Sequence, residues 1–365
     1  MQKHRVIAIN LPQFHPFKEN DEWWGKGFTE WTNVTKAKPR FRGHYQPHLP
    51  SDTGFYDLRL PESRDMQADM AKEAGLYGFC YYHYWFNGKR LMDRPINEIL
   101  ESKKPDFPFM FCWANENWAR NWDGGFKNVL MEQCYCDSDD IAHMKYLCEK
   151  VFSDSRYIRI KEKPFFVVYK PYLIPNIKKT IDNWRTVARE YGMELYLGFM
   201  SSGDADRKQI LDCGFDAAID FQPHFLLRPK SIFPGLTSLF YKVCWKLSIP
   251  IIERPDIWDY KDYIETQINN IKKDYKEYPC VTPSWDNSPR RVNKKYWAII
   301  NNTPKLFGEW LTKVLTIFEP FGEDENFVFI NAWNEWAEGN HLEPDQKWGR
   351  AYIEETRKVI DKDNL

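Results

Sequence analysis

The sequence predicts a (β/α)8 barrel, an α/β TIM-barrel fold, and three observations predict it. Eight short apolar runs recur along the chain, each ending in polar and aromatic residues. Amphipathic helical patterns lie between them. No Gly-x-Gly-x-x-Gly follows the first run, which weakens the open, doubly wound, dinucleotide-binding alternative. Strand–helix alternation repeated about eight times reads as a closed parallel architecture. A chain of 365 residues fits one such barrel with insertions, since these barrels span from about 250 to over 400 residues. Residues 1–365 are therefore read as a single catalytic barrel domain, although the length alone also fits two domains of about 150 residues.

Continuous apolar runs of this length suit strands buried on both faces. Run 6–9 leads to Pro12-Gln13-Phe14-His15, and run 78–82 leads to His83-Tyr84-Trp85. Run 109–113 leads to Asn115-Glu116-Asn117-Trp118, run 165–169 to Lys170, and run 195–199 to Met200-Ser201. Run 217–221 leads to Gln222-Pro223-His224, run 280–282 to Trp285-Asp286-Asn287, and run 327–330 to Trp333-Asn334-Glu335. Among the helices, 62–74 places Met66, Met70 and Ala74 at i, i+4 and i+8, with Gly75 as its stop. Segment 137–152 opens with Asp-Ser-Asp-Asp, a helix N-terminal signal, and 177–191 stops at Gly192. Segments 259–275, 304–318 and 348–360 complete the set. Two long insertions break the alternation. One covers 17–60, after the first strand, and is rich in Trp, Pro, Gly and His. The other covers 225–258, between the sixth and seventh strands, and carries Pro229, Pro234, Pro250 and Pro255. Long ordered loops commonly form lids or walls.

Composition narrows the function. Lys+Arg number 51 against Asp+Glu 52, for a net charge of −1, so a nucleic-acid footprint, which needs a basic face, is not expected. No run of 18 apolar residues occurs, and no transmembrane segment is expected. Met1 to Arg5 lead straight into the first strand without a secretory leader, which points to a cytoplasmic protein. Eight scattered cysteines, including Cys244, read as reduced thiols. Cys134-Tyr135-Cys136 is too close for a redox pair, and no second close pair completes a zinc site. His44 and His48 are four apart, but Pro47 between them speaks against a helical metal-binding face. No metal is expected. With no phosphate-binding loop, no Gly-x-Ser-x-Gly and no His-Glu-x-x-His, no cofactor is expected either.

Aromatics make up 17% of the chain. A large aromatic core accounts for part of that. Many Trp and Tyr nevertheless stand beside Asn, Asp, Glu and His at the strand ends, where barrel active sites lie. Flat rings next to hydrogen-bonding groups suit the apolar faces and polar rims of a sugar. The sharpest cluster is Asn331-Ala332-Trp333-Asn334-Glu335-Trp336-Ala337-Glu338-Gly339-Asn340. Glycoside chemistry needs two carboxyl groups, one donating a proton and one acting as base or nucleophile. Glu335 and Glu338 are the catalytic pair in this reading. The binding set is His15, His83, Trp85, Asn115, Glu116, Trp118, Tyr169, Trp285, Asp286, Trp333, Asn334 and Trp336. Arg290 reads either as a clamp on an anionic group or, preferably, as a structural partner of Asp286. Glu343 and Asp345 read as solvated.

At these residues the chain resembles a known family. Trp333-Asn334-Glu335-Trp336-Ala337-Glu338-Gly339 resembles the signature of glycoside hydrolase family 99, the endo-α-mannosidases and endo-α-mannanases. The segments 23–34, 43–50, 78–86, 112–118 and 285–290 are similar to the related WbsX-type proteins of bacterial polysaccharide gene clusters, and the similarity runs from about residue 6 to 350. It implies a (β/α)8 barrel and a retaining reaction on α-linked, mannose-like glycans. By the same resemblance Glu335 is the base on the substrate's 2-hydroxyl, which gives a 1,2-anhydro sugar. Glu338 is then the acid, and afterwards the base for water. Ala337 and Asn340 depart from the family 99 pattern, where His and Thr are frequent. A glycosyltransferase of O-antigen, capsule or lipopolysaccharide assembly and a non-catalytic glycan-binding barrel are the alternatives. In each case the expected partner is an oligosaccharide or polysaccharide.

Overall fold

The computed structural model describes all residues except 1–2, 120–128, 202–204, 233–242, 244–245, 248–254, 272–273 and 292–294. Its centre is a parallel barrel of β1 (Arg5–Asn10), β2 (Gly78–Phe86), β3 (Phe109–Trp113), β4 (Lys163–Val168), β5 (Tyr196–Met200), β6 (Ala217–Ile219), β7 and β8 (Phe327–Ile330). Strand β7 is split at Pro279 into Glu277–Tyr278 and Cys280–Val281. The first piece pairs with β6 and the second with β8, while β8 pairs with β1. The ring therefore closes across a proline, which has no N–H to give to a ladder. Each expected strand is present, with ends shifted by a residue or a few.

The helices are α1 (Lys18–Trp24), α2 (Glu30–Lys36), α3 (Pro61–Glu73), α4 (Asp93–Ser102), α5 (Asp137–Tyr146), α6 (Ile177–Glu190), α7 (Arg207–Asp212), α8 (Tyr260–Ile268), α9 (Pro304–Ile317) and α10 (Ala351–Asp363). The helix expected over 137–152 passes from α5 into a wider π turn, Leu147–Val151. The helix expected over 259–275 stops at Ile268, ahead of two asparagines of poor helix propensity. No helix among the described residues is long and apolar enough to cross a membrane.

Side chains of alternate parity fill the barrel and cover its outside. Phe165 of β4 meets Phe327 of β8 at 5.7 Å and Tyr278 of β7 at 5.9 Å, so rings from across the barrel pack its interior. Outside, His83 stacks on Phe111 at 5.1 Å, and Trp113 meets Trp184 of α6 at 5.8 Å. Part of the aromatic excess is thus core. Only glycine fits where β2 begins, because a Cβ on Gly78 would lie 2.5 Å from the Pro108 carbonyl oxygen.

Both insertions build structure beside the strand ends. In the first, Trp31 of α2 is wedged against Phe14, Tyr56 and Trp336 at 4.7, 5.1 and 5.5 Å. This packing seats α2 against the short turns Ser288–Arg290 and Trp336–Glu338. The second insertion, expected as loop, ends instead in a strand. Asp256–Asp259 runs parallel to Trp297–Ile300, which pairs antiparallel with Trp285–Asp286. Pro234, Cys244 and Pro250 lie outside the described residues. The seven described cysteines are free thiols.

Candidate active site

The loop after β8 is held before it turns. Trp333 N–H donates to the Ile9 carbonyl at 2.7 Å. Asn334 accepts from Leu11 N–H at 2.7 Å and donates to the Leu11 carbonyl at 3.0 Å, which ties the end of β8 to the end of β1. A small hairpin follows, Asn334–Glu335 against Asn340–His341. Its turn needs Gly339 in the left-handed region at φ +57°, where a Cβ would also press to 3.2 Å from Asp286 Cβ. The turn presents Glu335 and Glu338 on one side.

Both carboxylates converge on one cation. Arg290 donates from Nη1 to Glu338 at 2.6 Å and from Nη2 to Glu335 at 2.9 Å. Its Nε and Nη2 also reach Glu30 Oε1 at 2.8 and 2.5 Å. Glu30 is the first residue of α2 and fully buried, and its Oε2 lies buried without a hydrogen-bond partner. Three carboxylates thus share one guanidinium. Burial raises the Glu335 carboxyl to about 8, with Arg290 opposing and Glu338 and Glu30 adding repulsion. Burial likewise raises Glu338, again against Arg290. The Glu338 side chain keeps 20% exposure and the Glu335 side chain 8%, so Glu338 stands nearer the opening.

Tyrosines wall this centre. Burial is the main force holding the Tyr82, Tyr84 and Tyr169 hydroxyls in their neutral form, and the field of Glu335 adds to it at all three. Tyr169 meets Tyr82 edge-on at 5.9 Å, and Tyr84 meets Trp118 at 5.3 Å. Of the expected binding set, Tyr169 and Trp118 therefore stand with the carboxylates. Glu116 lies close by, paired with Lys170, and its field reaches Tyr84 and Tyr169.

Several expected binding residues do something else. His83 and Trp85 sit on the outer face of β2, the parity opposite to Tyr82 and Tyr84. His83 Nε2 is 3.0 Å from His143 Nε2, and Trp85 Nε1 donates to Asp139 at 2.9 Å, both partners lying on α5. Asn115 is buried and accepts from Lys170 N–H at 2.7 Å, bridging the ends of β3 and β4. Asn334 is the clamp already described. Trp333 packs on Phe79 at 5.2 Å. Trp336 is buried, stacks on His341 at 3.8 Å and donates to Glu343 at 2.6 Å. Trp285 is buried edge-on to Phe225 at 5.6 Å. His15 is buried under the influence of Asp57, Arg59 and Arg94, and burial lowers it to about 4.

Asp286 is buried and positions the loop that carries Arg290. It accepts from His44 Nε2 and Gln46 Nε2 at 2.6 Å each and caps Ser288 N–H at 2.9 Å. Burial opposes its ionisation, but these donors hold the carboxyl below its ordinary value. The preferred pairing of Arg290 with Asp286 is thus corrected, because Arg290 turns to the three glutamates. Glu343 and Asp345, expected as solvated, are buried as well. Glu343 accepts from Tyr56, Gln67 and Trp336, and burial raises its carboxyl to about 7. Glu30, which sequence reasoning missed, and Arg290, which it misplaced, are the groups that join this cluster. The one signal for Glu30 was its place in the Trp-rich 23–34 segment.

With this geometry in place, the chain compares clearly with known proteins. Residues 6–356 match the family model described as Glycosyltransferase WbsX. The chain belongs to the WbsX glycosyltransferase family. Among curated relatives, the uncharacterized protein WxcX from two strains of Xanthomonas campestris pv. campestris is 39% identical over 357 residues, covering 97% of this chain and 49% of the relative. The chain spans about half the length of these curated relatives. Among solved structures, the GH99 endo-alpha-mannosidase from Bacteroides thetaiotaomicron aligns with a TM-score of 0.58 at 13% identity, covering 100% of this chain and 98% of that one. A glycoside hydrolase-like protein aligns with a TM-score of 0.60 at 13% identity, covering 100% and 95%. Identity this low speaks for the fold alone. This WbsX chain shares the barrel of those hydrolases, as expected, and belongs to a carbohydrate-active family.

Proposed function

We propose that this WbsX chain acts as one catalytic barrel on α-linked, mannose-like glycans of a bacterial surface polysaccharide, with Glu335 and Glu338 as its catalytic pair. The observation that carries this reading is the convergence of two carboxyl groups on Arg290 beside the buried hydroxyls of Tyr82, Tyr84 and Tyr169, with burial favouring the protonated form of both carboxyls. Such a pair titrates as a unit. It holds a proton for the leaving group while the other carboxylate acts as base.

In this mechanism Glu335 takes the proton of the sugar's 2-hydroxyl. Oxygen O2 then attacks C1, the C1–glycosidic oxygen bond breaks, and Glu338 protonates the departing oxygen. The product is a 1,2-anhydro sugar. A water or sugar hydroxyl next attacks C1, giving its proton to Glu338, while O2 recovers its proton from Glu335. Both steps balance without an external oxidant or cofactor. Trp118 and Tyr169 offer faces for the sugar, and Glu116 offers oxygens to its hydroxyls.

Transfer to a sugar hydroxyl, rather than hydrolysis, is the second reading. The family's own description favours it, and the same pair serves both outcomes. The test is purified protein with activated α-mannosides, mannose oligosaccharides and host surface polysaccharide, with and without nucleotide-sugar donors, read by mass spectrometry. Cleavage without a donor, lost in Glu335→Gln and in Glu338→Gln, supports the hydrolase. Chain growth only with a donor supports the transferase. Glycan binding without turnover that survives both substitutions overturns the enzymatic reading.

A further inference from the structure

A second cluster of titratable side chains lies beside the catalytic hairpin. His48 comes from the first insertion, and His341 and Asp345 from the loop after β8. His48 Nδ1 stands 3.0 Å from His341 Nε2, and Asp345 Oδ2 stands 3.9 Å from the same nitrogen. One ligand-type atom from each residue lies within 4.8 Å of the others, and all three side chains are buried. Ligands held at about 2.0–2.1 Å around a tetrahedral ion sit roughly 3.3 Å apart, so an ion would enter with side-chain shifts of up to about an ångström.

Two of these atoms are already set as lone-pair donors. His341 Nδ1 is 2.9 Å from the Glu343 carbonyl oxygen. A carbonyl only accepts, so Nδ1 carries the proton and Nε2 the lone pair, as in most metal-bound histidines. Asp345 Oδ1 accepts from the backbone N–H groups of Lys347 and Trp348 at 2.9 and 2.6 Å, which leaves Oδ2 toward His341. A single proton on His48 Nδ1 bridges the metal-free gap, and a cation entering the site displaces it. The same three residues line a cavity of about 250 Å3, which has room for a fourth ligand. The Lys347 ammonium rests over the rings of Tyr45 and Trp348, 4.7 Å from each centroid.

We propose that His48, His341 and Asp345 bind a zinc-like divalent cation, with its fourth position open to water or a sugar hydroxyl in the cavity. Two imidazoles and one carboxylate suit zinc or its transition-metal neighbours better than magnesium or calcium. The ion acts as a positioning group. His341 pairs with Asn334 in the hairpin and stacks on Trp336, so fixing His341 fixes the turn that carries Glu335 and Glu338. No spacing in the sequence announces this site, because His48 and His341 are 293 residues apart.

The test uses the full chain, stripped with a chelator and dialysed against Zn2+ alone. One equivalent binds per chain, and zinc raises the thermal midpoint. His48→Gln still offers an N–H to His341 but removes the ligand nitrogen, and Asp345→Asn removes the charge. Each weakens binding by about tenfold or more and abolishes the thermal gain. Cobalt in place of zinc shows ligand-field bands without thiolate charge transfer, which separates this site from the exposed Cys134 and Cys136. Absence of zinc uptake by the wild type, uptake unchanged in His48→Gln, or thiolate bands with cobalt overturns the proposal. If a variant fails to fold, wild-type stoichiometry and the cobalt spectrum still decide. None of these readouts needs a glycan, so the result is independent of the proposed catalytic reading.

Discussion

Replacing Arg290 with methionine removes one guanidinium from three carboxylates. The side chain is 13% exposed, and its partners Glu30, Glu335 and Glu338 are 0%, 8% and 20% exposed. Removing one partner of a buried ion pair costs about 3–5 kcal/mol, because the charge left behind has neither water nor partner. Unfolding entropy near 2.1 cal/mol/K per residue amounts to roughly 0.8 kcal/mol/K for a chain of 365 residues. The thermal midpoint of Arg290→Met should therefore fall by about 4–7 °C at pH 8.

The pH dependence is the sharper part of this prediction. Glu335 has a folded value near 8, above the ordinary 4.5. Its favourable share of stability is full below 4.5 and is lost as pH rises through 8. Without Arg290 the Glu335 and Glu338 carboxyls rise further and take up protons, so at pH 5 much of the uncompensated charge is gone. The deficit should then shrink to about a third or less of its pH 8 size. Differential scanning calorimetry of both proteins from pH 5 to 9 measures it. An equal deficit at both ends would mean that Arg290 acts through packing rather than charge, and would refute the shared-cation account.

Three further outcomes follow from the same geometry. Turnover on any accepted glycan should rise as pH approaches about 8, where Glu335 ionises to act as base, and fall where Glu338 loses its proton; a pH–rate profile of kcat checks this. His83→Phe should lower stability by about 1–3 kcal/mol through its lost bond to His143 while leaving KM within about twofold, since His83 faces α5; denaturant melts and kinetics separate the two. Gly339→Ala forces a left-handed backbone and crowds Asp286, so it should cost about 1–2 kcal/mol and depress kcat more than KM, read by thermal melts and steady-state kinetics.

How much of this was legible in the sequence depends on which force decides each feature. The strands were legible because parallel barrel strands are buried on both faces, and continuous apolar runs such as 165–168 and 327–330 announce that directly. Side-chain direction was harder. Tyr82, His83, Tyr84 and Trp85 look equally suited to a sugar pocket, yet successive residues point to opposite faces, and the pleat sends His83 and Trp85 to α5. The hairpin was legible as a candidate site because two carboxyl groups stand among tryptophans, and those tryptophans prove to be buried in its frame. Trp333 and Trp336 hold the loop, while Trp118 and Tyr169 from other strand ends pack on Tyr84 and Tyr82.

The pairing of Glu30 with Arg290 was not legible, for a reason that bears on how the cluster is built. A carboxylate 260 residues from its arginine leaves no spacing to read. What brings them together is the hydrophobic seating of Trp31 in the Phe14, Tyr56 and Trp336 cluster. Burial at Trp31 thus places a fully buried negative charge one residue away, and that charge competes with Glu335 and Glu338 for the same cation. Every interaction Arg290 makes with Glu30 reduces its capacity to keep Glu335 and Glu338 ionised. On the proposed catalytic reading, the first insertion therefore tunes the acid–base pair as well as packing beside the barrel. Glu30→Gln should free Arg290 for the pair and lower the upper limb of the pH–rate profile, the direction opposite to that of Arg290→Met. An unchanged upper limb in Glu30→Gln would show that α2 closes the site without tuning it.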